Sequence, residues 1–242
     1  MCEAEFKEGL KSFGLIPDDR QMEIFDAYYR KLVEVNAVMN LTAITEKRDV
    51  YILHFLDSLS LIQAARMADI SISPSCRMID VGTGAGFPGL PLKIMLEQMH
   101  LTLLDSLNKR LNFLSAVTKD NDLRDVQMIH ARAEDGARQP ELRDTFDFAV
   151  SRAVAPLPVL CEYCLPYVRI GGYFAAYKTA AVRDELPQAA NAIHVLGAKT
   201  VSTQFFTLPG TDVQRAIVFI QKCAKTPKKY PRKAGTPKNN PL

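Results

Sequence analysis

Apolar residues follow two different periods along the 242-residue chain. Near the start they recur every three or four positions. After Pro17-Asp18-Asp19, the residues Met22, Phe25, Tyr28, Tyr29, Leu32 and Val33 fall on one face of an amphipathic helix. Ile52, Phe55, Leu56, Leu59 and Ile62 form the stripe of a second helix from about Arg48 to Met67, and the stretch from Asn36 to Thr42 reads as a polar connection. Beyond Ser71-Ile72-Ser73-Pro74-Ser75 the texture changes, because short β-rich runs alternate with helical stretches as in an open α/β sheet. Strands are predicted at Arg77–Val81, His100–Leu104, Val126–His130, Phe146–Ser151 and Gly172–Lys178, with helices near Leu90–Gln98, Asn108–Asp120, Pro158–Tyr167 and Ala181–Leu196. Thr200–Leu208 and Gln214–Gln221 are joined by Pro209-Gly210-Thr211-Asp212, a turn too short for a parallel crossover, so the sheet is expected to end in an antiparallel hairpin.

Composition bounds the class. With 48% hydrophobic and 24% charged residues the chain is ordinary globular material, which excludes disordered, collagen-like and disulfide-scaffold proteins. No apolar run reaches the roughly 18–20 residues of a membrane span. Five cysteines and an acidic start without a leader pattern point to reduced thiols and a cytoplasmic location. The net charge of +3 is uneven: from Lys222 onward there are seven basic residues and no acidic one, so the body before them is mildly acidic. The tail past Cys223 reads as flexible, an electrostatic arm that adds affinity for a polyanion without choosing a sequence.

Met78-Ile79-Asp80-Val81-Gly82-Thr83-Gly84-Ala85-Gly86-Phe87-Pro88-Gly89 is the most informative stretch. An apolar strand enters a loop with four glycines and then a helix, so backbone amides can approach a nucleotide-type ligand closely. As a string it fits two fingerprints, the G-x-G-x-x-G of dinucleotide enzymes (Gly84, Gly86, Gly89) and the D-x-G-x-G-x-G of S-adenosylmethionine enzymes (Asp80, Gly82, Gly84, Gly86). Charge favours the second. Asp80 repels a pyrophosphate, whereas S-adenosyl-L-methionine carries an ammonium and a sulfonium that an acid attracts. Asp105 ends the next strand, where a carboxylate can accept bonds from both ribose hydroxyls; in the alternative reading Asp80 only caps the loop and Asp105 the next helix.

The loop together with Leu103-Leu104-Asp105-Ser106 and Lys109-Arg110 resembles the bacterial 16S ribosomal RNA methyltransferase G family, also called glucose-inhibited division protein B. Asn40-Leu41-Thr42-Ala43-Ile44, His54-Phe55-Leu56-Asp57-Ser58, Ala131-Arg132-Ala133-Glu134, Ser151-Arg152-Ala153, Tyr177-Lys178 and Lys229 to Pro237 are similar to that family in the same order, so the resemblance covers nearly the whole chain. It implies methyl transfer from S-adenosylmethionine to N7 of a guanine near the decoding centre, on 16S rRNA or a small-subunit particle. Gly82, Phe87, Asp105, Ala133, Glu134 and Arg152 are expected to line the cofactor site, with Ser106 beside Asp105. Thr179 stands where the family has glycine, a departure in the loop after the fifth strand.

N7 already carries a lone pair, so no general base is required and catalysis rests on positioning and electrostatics. Arg152, at the end of the fourth strand, is the main cation candidate, able to hold the cofactor carboxylate or the guanine edge or to form a structural ion pair. Lys178 ends the next strand and is the second catalytic candidate. Glu134 follows the third strand, where adenine is usually held, and also fits a helix cap. Phe87 and Tyr177 could stack on a base or belong to the core. His54 could face the RNA but, within an apolar stripe, reads as a core residue, and Cys161 with Cys164 as packing rather than a metal site.

The expected fold is α/β, a Rossmann-like class I S-adenosylmethionine-dependent methyltransferase with a seven-stranded mostly parallel sheet, an antiparallel last strand and an N-terminal helical extension. Residues 1–72 form the extension, 73–223 the methyltransferase domain and 224–242 the basic tail, in a monomer without metal or membrane contact. Two rivals remain open: an NAD(P)-dependent oxidoreductase, disfavoured by Asp80 and by the lack of a second substrate domain, and a non-catalytic RNA-binding module.

Overall fold

The computed structural model describes residues 2–242. The chain opens with α1 (Cys2–Ser12), a helix outside the predicted set, whose Phe6 and Leu10 are fully buried. α2 (Asp19–Met39) begins at an Asp18–Gln21 capping box and ends at Asn40, which takes the left-handed conformation at φ 49°. The predicted polar connection is therefore largely helix. α3 (Lys47–Asp49), a π-helical segment (Val50–Leu56) and α4 (Asp57–Met67) together make the second predicted helix. Its central turns are widened, a feature found often at functional sites.

The sheet alternates with helices as predicted: β1 (Arg77–Val81), α5 (Gly89–Met95), β2 (His100–Asp105), α6 (Asn108–Asp120), β3 (Val126–His130), α7 (Ala133–Gly136), β4 (Phe146–Arg152), α8 (Leu157–Cys164), β5 (Val168–Lys178), α9 (Val182–Val195), β6 (Ala198–Thr207) and β7 (Gln214–Lys222). Strand order is β3-β2-β1-β4-β5-β7-β6. The first five strands are mutually parallel, and β7 runs antiparallel to both of its neighbours. β1 lies between β2 and β4, so the chain reverses its direction of travel there, and the crevice outside the strand ends at such a point is where open α/β sheets bind ligands.

Strand residues alternate between two cores. Met78, Leu101, Leu103, Phe148 and Val150 pack with the N-terminal helices, whereas Ile79, Val81, Ala149, Phe174 and Ala176 pack on the opposite face with α8 and α9. Both faces are covered, which is why the central strands read as continuous apolar runs. No described helix is long and apolar enough to cross a membrane.

The C-terminal segment differs from expectation. Instead of a flexible arm it docks on the body and closes with α10 (Thr236–Asn239). Arg143 donates to the carbonyls of Tyr230 (3.0 Å) and Thr226 (2.8 Å), and Arg138 donates to Pro231 O. The Arg232 guanidinium forks onto the buried Glu162 carboxylate at 3.0 and 2.7 Å. Lys222 is wholly buried against Asp144 and the Leu165 carbonyl. Low apolar content predicts a free tail, but the backbone carbonyls of this segment accept from Arg138 and Arg143 and the Tyr230 ring packs into the core.

Candidate functional site

A cavity of about 730 Å³ opens at the carboxyl ends of β1 to β4, within the usual range of small-molecule sites. Gly82, Gly84, Phe87, Asp105, Ser106, Ala133, Glu134 and Arg152 all line it, so most of the predicted cofactor residues converge. Gly84 sits at φ 59°, and a Cβ built there meets nothing nearer than Gly82 O at 4.0 Å. The loop thus presents bare backbone to open space.

Asp80 and Gly86 lie beneath this surface rather than on it. Gly86 is wedged against Leu114 and Leu90, where a Cβ would stand 2.8 and 3.0 Å from their methyls. Asp80 is fully buried. Its Oδ2 accepts from Thr83 Oγ1 (2.8 Å) and Gly89 N (2.9 Å), bracing both ends of the loop, while Oδ1 has no partner. Burial holds this carboxyl proton more tightly than usual, raising its pKa to about 6 against the pull of the Thr83 and Gly89 bonds.

Asp105 is nearly as enclosed. Its Oδ2 accepts from Gly84 N (2.9 Å) and Arg110 (3.3 Å), and its Oδ1 from Leu107 N (2.9 Å). A carboxylate offers about four acceptor positions, so one remains for a ribose hydroxyl rather than the two expected. Glu134 makes no cap within α7. Its Oε1 instead accepts from Gly235 N at 2.8 Å, and Gly235 and Lys238 join Tyr163 in the cavity wall. The C-terminal segment is therefore part of the site.

Arg152 is held by the N-terminal extension. NH1 donates to Asp57 Oδ2 (2.9 Å) and Leu53 O (3.2 Å), and NH2 lies 3.2 Å from His54 Nδ1. A guanidinium cannot accept, so Nδ1 is the acceptor, and the ring proton sits on Nε2, which donates to Thr42 Oγ1 at 2.8 Å. Burial and the neighbouring Arg152 charge push the His54 pKa down to about 3. His54 is neutral near pH 7 and moves no proton there. Its ring stacks on Phe87 (4.5 Å between centroids, 20°), which also stacks on Tyr28, so much of the Phe87 ring is engaged inside the protein. Ala153, next along, takes the left-handed conformation at φ 58°, unusual for a residue with a Cβ and typical of constrained ligand-binding turns. Tyr177, the other aromatic candidate, is buried in the core with its hydroxyl bonded to Ser58 O. Lys178 does not reach the first cavity: its Nζ pairs with Glu185 (2.7 Å) in a second cavity of about 380 Å³ that meets the first at His54, Arg152 and Ala153.

A family model described as rRNA small subunit methyltransferase G matches residues 21–218. The chain belongs to this family. Relatives named ribosomal RNA small subunit methyltransferase G include those of Alkaliphilus metalliredigens, 47% identical over 98% of this chain and 97% of theirs, and of Exiguobacterium sp., 47% identical over the full length of both. The fold is also shared with a predicted O-methyltransferase from Agrobacterium tumefaciens (TM-score 0.51, 19% identity, 66% of this chain and 81% of that one) and with MtNAS in complex with MTA and tNA (TM-score 0.55, 14% identity, 84% and 71%). The oxidoreductase and passive RNA-module alternatives give way to a methyltransferase.

Sequence reasoning missed four contributors to the candidate site of this methyltransferase G family member. Asp57 is 3% exposed and bridges Arg152 and Arg215, both at 2.9 Å. It was legible only as part of the resemblance, since nothing local signals a partner 95 residues away. Thr42 falls in the predicted polar connection, which assigns it no role, yet it holds His54 Nε2 at the cavity wall. Gly235 and Lys238 lay in the segment read as free. Cys161 and Cys164 are buried in α8 with both thiol pKa values raised by burial, as packing residues are.

Proposed function

We propose that the protein, as a cytoplasmic monomer, transfers a methyl group from S-adenosylmethionine to N7 of a guanine in the 16S rRNA of the small ribosomal subunit. The observation that carries the proposal is the open, glycine-floored cavity between Asp105 and Glu134 in a chain of the methyltransferase G family. The residues present fit the cofactor: Gly84 leaves space that a side chain would fill, and the unpartnered Asp80 Oδ1 leaves a buried negative charge that suits a cation. When bound, S-adenosylmethionine supplies an electrophilic methyl on a positively charged sulfur.

Asp105 has one acceptor position for the ribose, and Ala133, Glu134 and Tyr163 wall the end beyond β3 that suits adenine. Arg152 uses its fork on Asp57 and His54, which leaves Nε and one NH2 proton to face a ligand. N7 of the guanine would bring its own lone pair to that methyl group, with the sulfonium as the neutral thioether leaving group, so the protein's task is to position the two. No proton leaves, which accords with a neutral His54 and with the absence of any need for a base. Incubation of labelled cofactor with naked 16S rRNA, with small subunits and with assembly intermediates, followed by nucleoside analysis, should yield labelled 7-methylguanosine from at least one substrate. Label on an exocyclic amine, or none, would refute the proposal.

Asp80 gives the reading a pH dependence. Its pKa is higher folded than unfolded, so its contribution to stability is present below about pH 4 and is lost as pH rises toward about 6. A cationic ligand favours the ionised form, so cofactor affinity should run the other way and rise through about pH 6 with release of a proton. Calorimetry in buffers of different ionisation enthalpy reads the proton directly, and Asp80→Asn should flatten the pH profile while weakening affinity above pH 7.

A further inference from the structure

The second cavity adjoins the first at Arg152, beyond the residues that would hold the cofactor. Leu53, Phe206 and Ile217 give it apolar walls suited to a flat ring. Its polar groups are unevenly used. Lys178 Nζ has three protons, of which Glu185 Oε2 (2.7 Å) and Ala155 O (3.3 Å) take two. Glu185 Oε2 also accepts from Leu157 N, whereas Oε1 has no hydrogen-bond partner among the described residues. One donor and one acceptor are left side by side.

Guanine carries an acceptor, O6, next to a donor, N1–H. Adenine carries the reverse order, an amino donor next to the N1 acceptor. We propose that this cavity receives the acceptor base and that the Lys178–Glu185 pair reads its O6/N1 edge, making Glu185 a specificity-determining residue. Recognition on that edge leaves N7 without a protein donor. A nucleophile needs that freedom, because an arginine bonded to N7 would occupy the lone pair that attacks. Arg152, with its fork committed to Asp57 and His54, instead forms the wall between base and cofactor.

The inference rests on the methyl-transfer reading, and its test separates the two. RNA carrying guanine, inosine or 2-aminopurine at the mapped target position is compared by kcat/KM. Inosine keeps O6 and N1–H, while 2-aminopurine lacks both and presents N1 as an acceptor. Wild-type protein should use guanine and inosine alike and discriminate strongly against 2-aminopurine. In Glu185→Gln the amide oxygen can retain the Leu157 bond while its NH2 replaces the free acceptor, so the guanine to 2-aminopurine ratio should fall about tenfold or more, with cofactor affinity within twofold. Intrinsic differences in N7 reactivity cancel in this ratio of ratios. A purely structural Glu185 would lower every substrate equally, and an unchanged ratio overturns the inference. Failure of the wild-type protein to form 7-methylguanosine overturns the methyl-transfer reading itself, and the inference with it.

Discussion

Gly84→Val is expected to abolish S-adenosylmethionine binding, by about 100-fold or more, in a protein that still folds. The added Cβ meets no protein atom nearer than 4.0 Å, so the native packing has room for it, and the isopropyl group falls in the cavity. The left-handed φ of 59° costs a β-branched residue on the order of 1–2 kcal/mol, which is tolerable in a domain of this size. Gly86→Val provides the contrast. Its Cβ would press on Leu114 and Leu90 inside the core, so it should lower thermal stability sharply whatever the ligand. Calorimetric affinity and melting temperature for the pair place the two glycines on opposite sides of the loop. Cofactor affinity retained within twofold in Gly84→Val would remove the cavity from consideration as the cofactor site.

That contrast also marks how far the sequence could be read. The glycine spacing and the strand ends are local signals, so the loop, Asp105 and Arg152 were legible as candidates, and so was the order of strands and helices. A string of letters does not say which side of a loop faces solvent. Asp80 and Gly86 look like their neighbours in the motif, yet they brace the loop from below. The partners of Arg152 were out of reach for a different reason: His54 and Asp57 come to it through the π-helical turns, whose widened register the apolar stripe at 52, 55, 56 and 59 does not reveal. Lys178 was correctly placed at a strand end, but the cavity that holds it depends on Glu185 from the following helix.

The C-terminal segment yields the other large effect, because it joins stability to binding through separate residues. The Glu162 carboxylate is 1% exposed and takes the Arg232 backbone N–H as well as its guanidinium. Arg232→Ala leaves this charge buried with one bond, a loss of about 3 kcal/mol if the segment stays docked. For a chain of this length that lowers Tm by roughly 6–12 °C. If the segment detaches instead, water reaches Glu162 and the loss is capped at the free energy of docking, but Glu134 then loses Gly235, so cofactor affinity falls only in that case. Truncation after Lys233 isolates the second effect. It keeps the Arg232 pair and removes Gly235 and Lys238 from the wall, and a charge-assisted hydrogen bond worth about 1.5 kcal/mol corresponds to about tenfold weaker cofactor binding. Melting curves and calorimetry on the two variants distinguish the roles. Unchanged affinity in the truncated protein would show that the end of the chain only covers Glu134; phosphate contact by its exposed Lys225, Lys228, Lys229, Lys233 and Lys238 is read separately, from the slope of RNA affinity against salt.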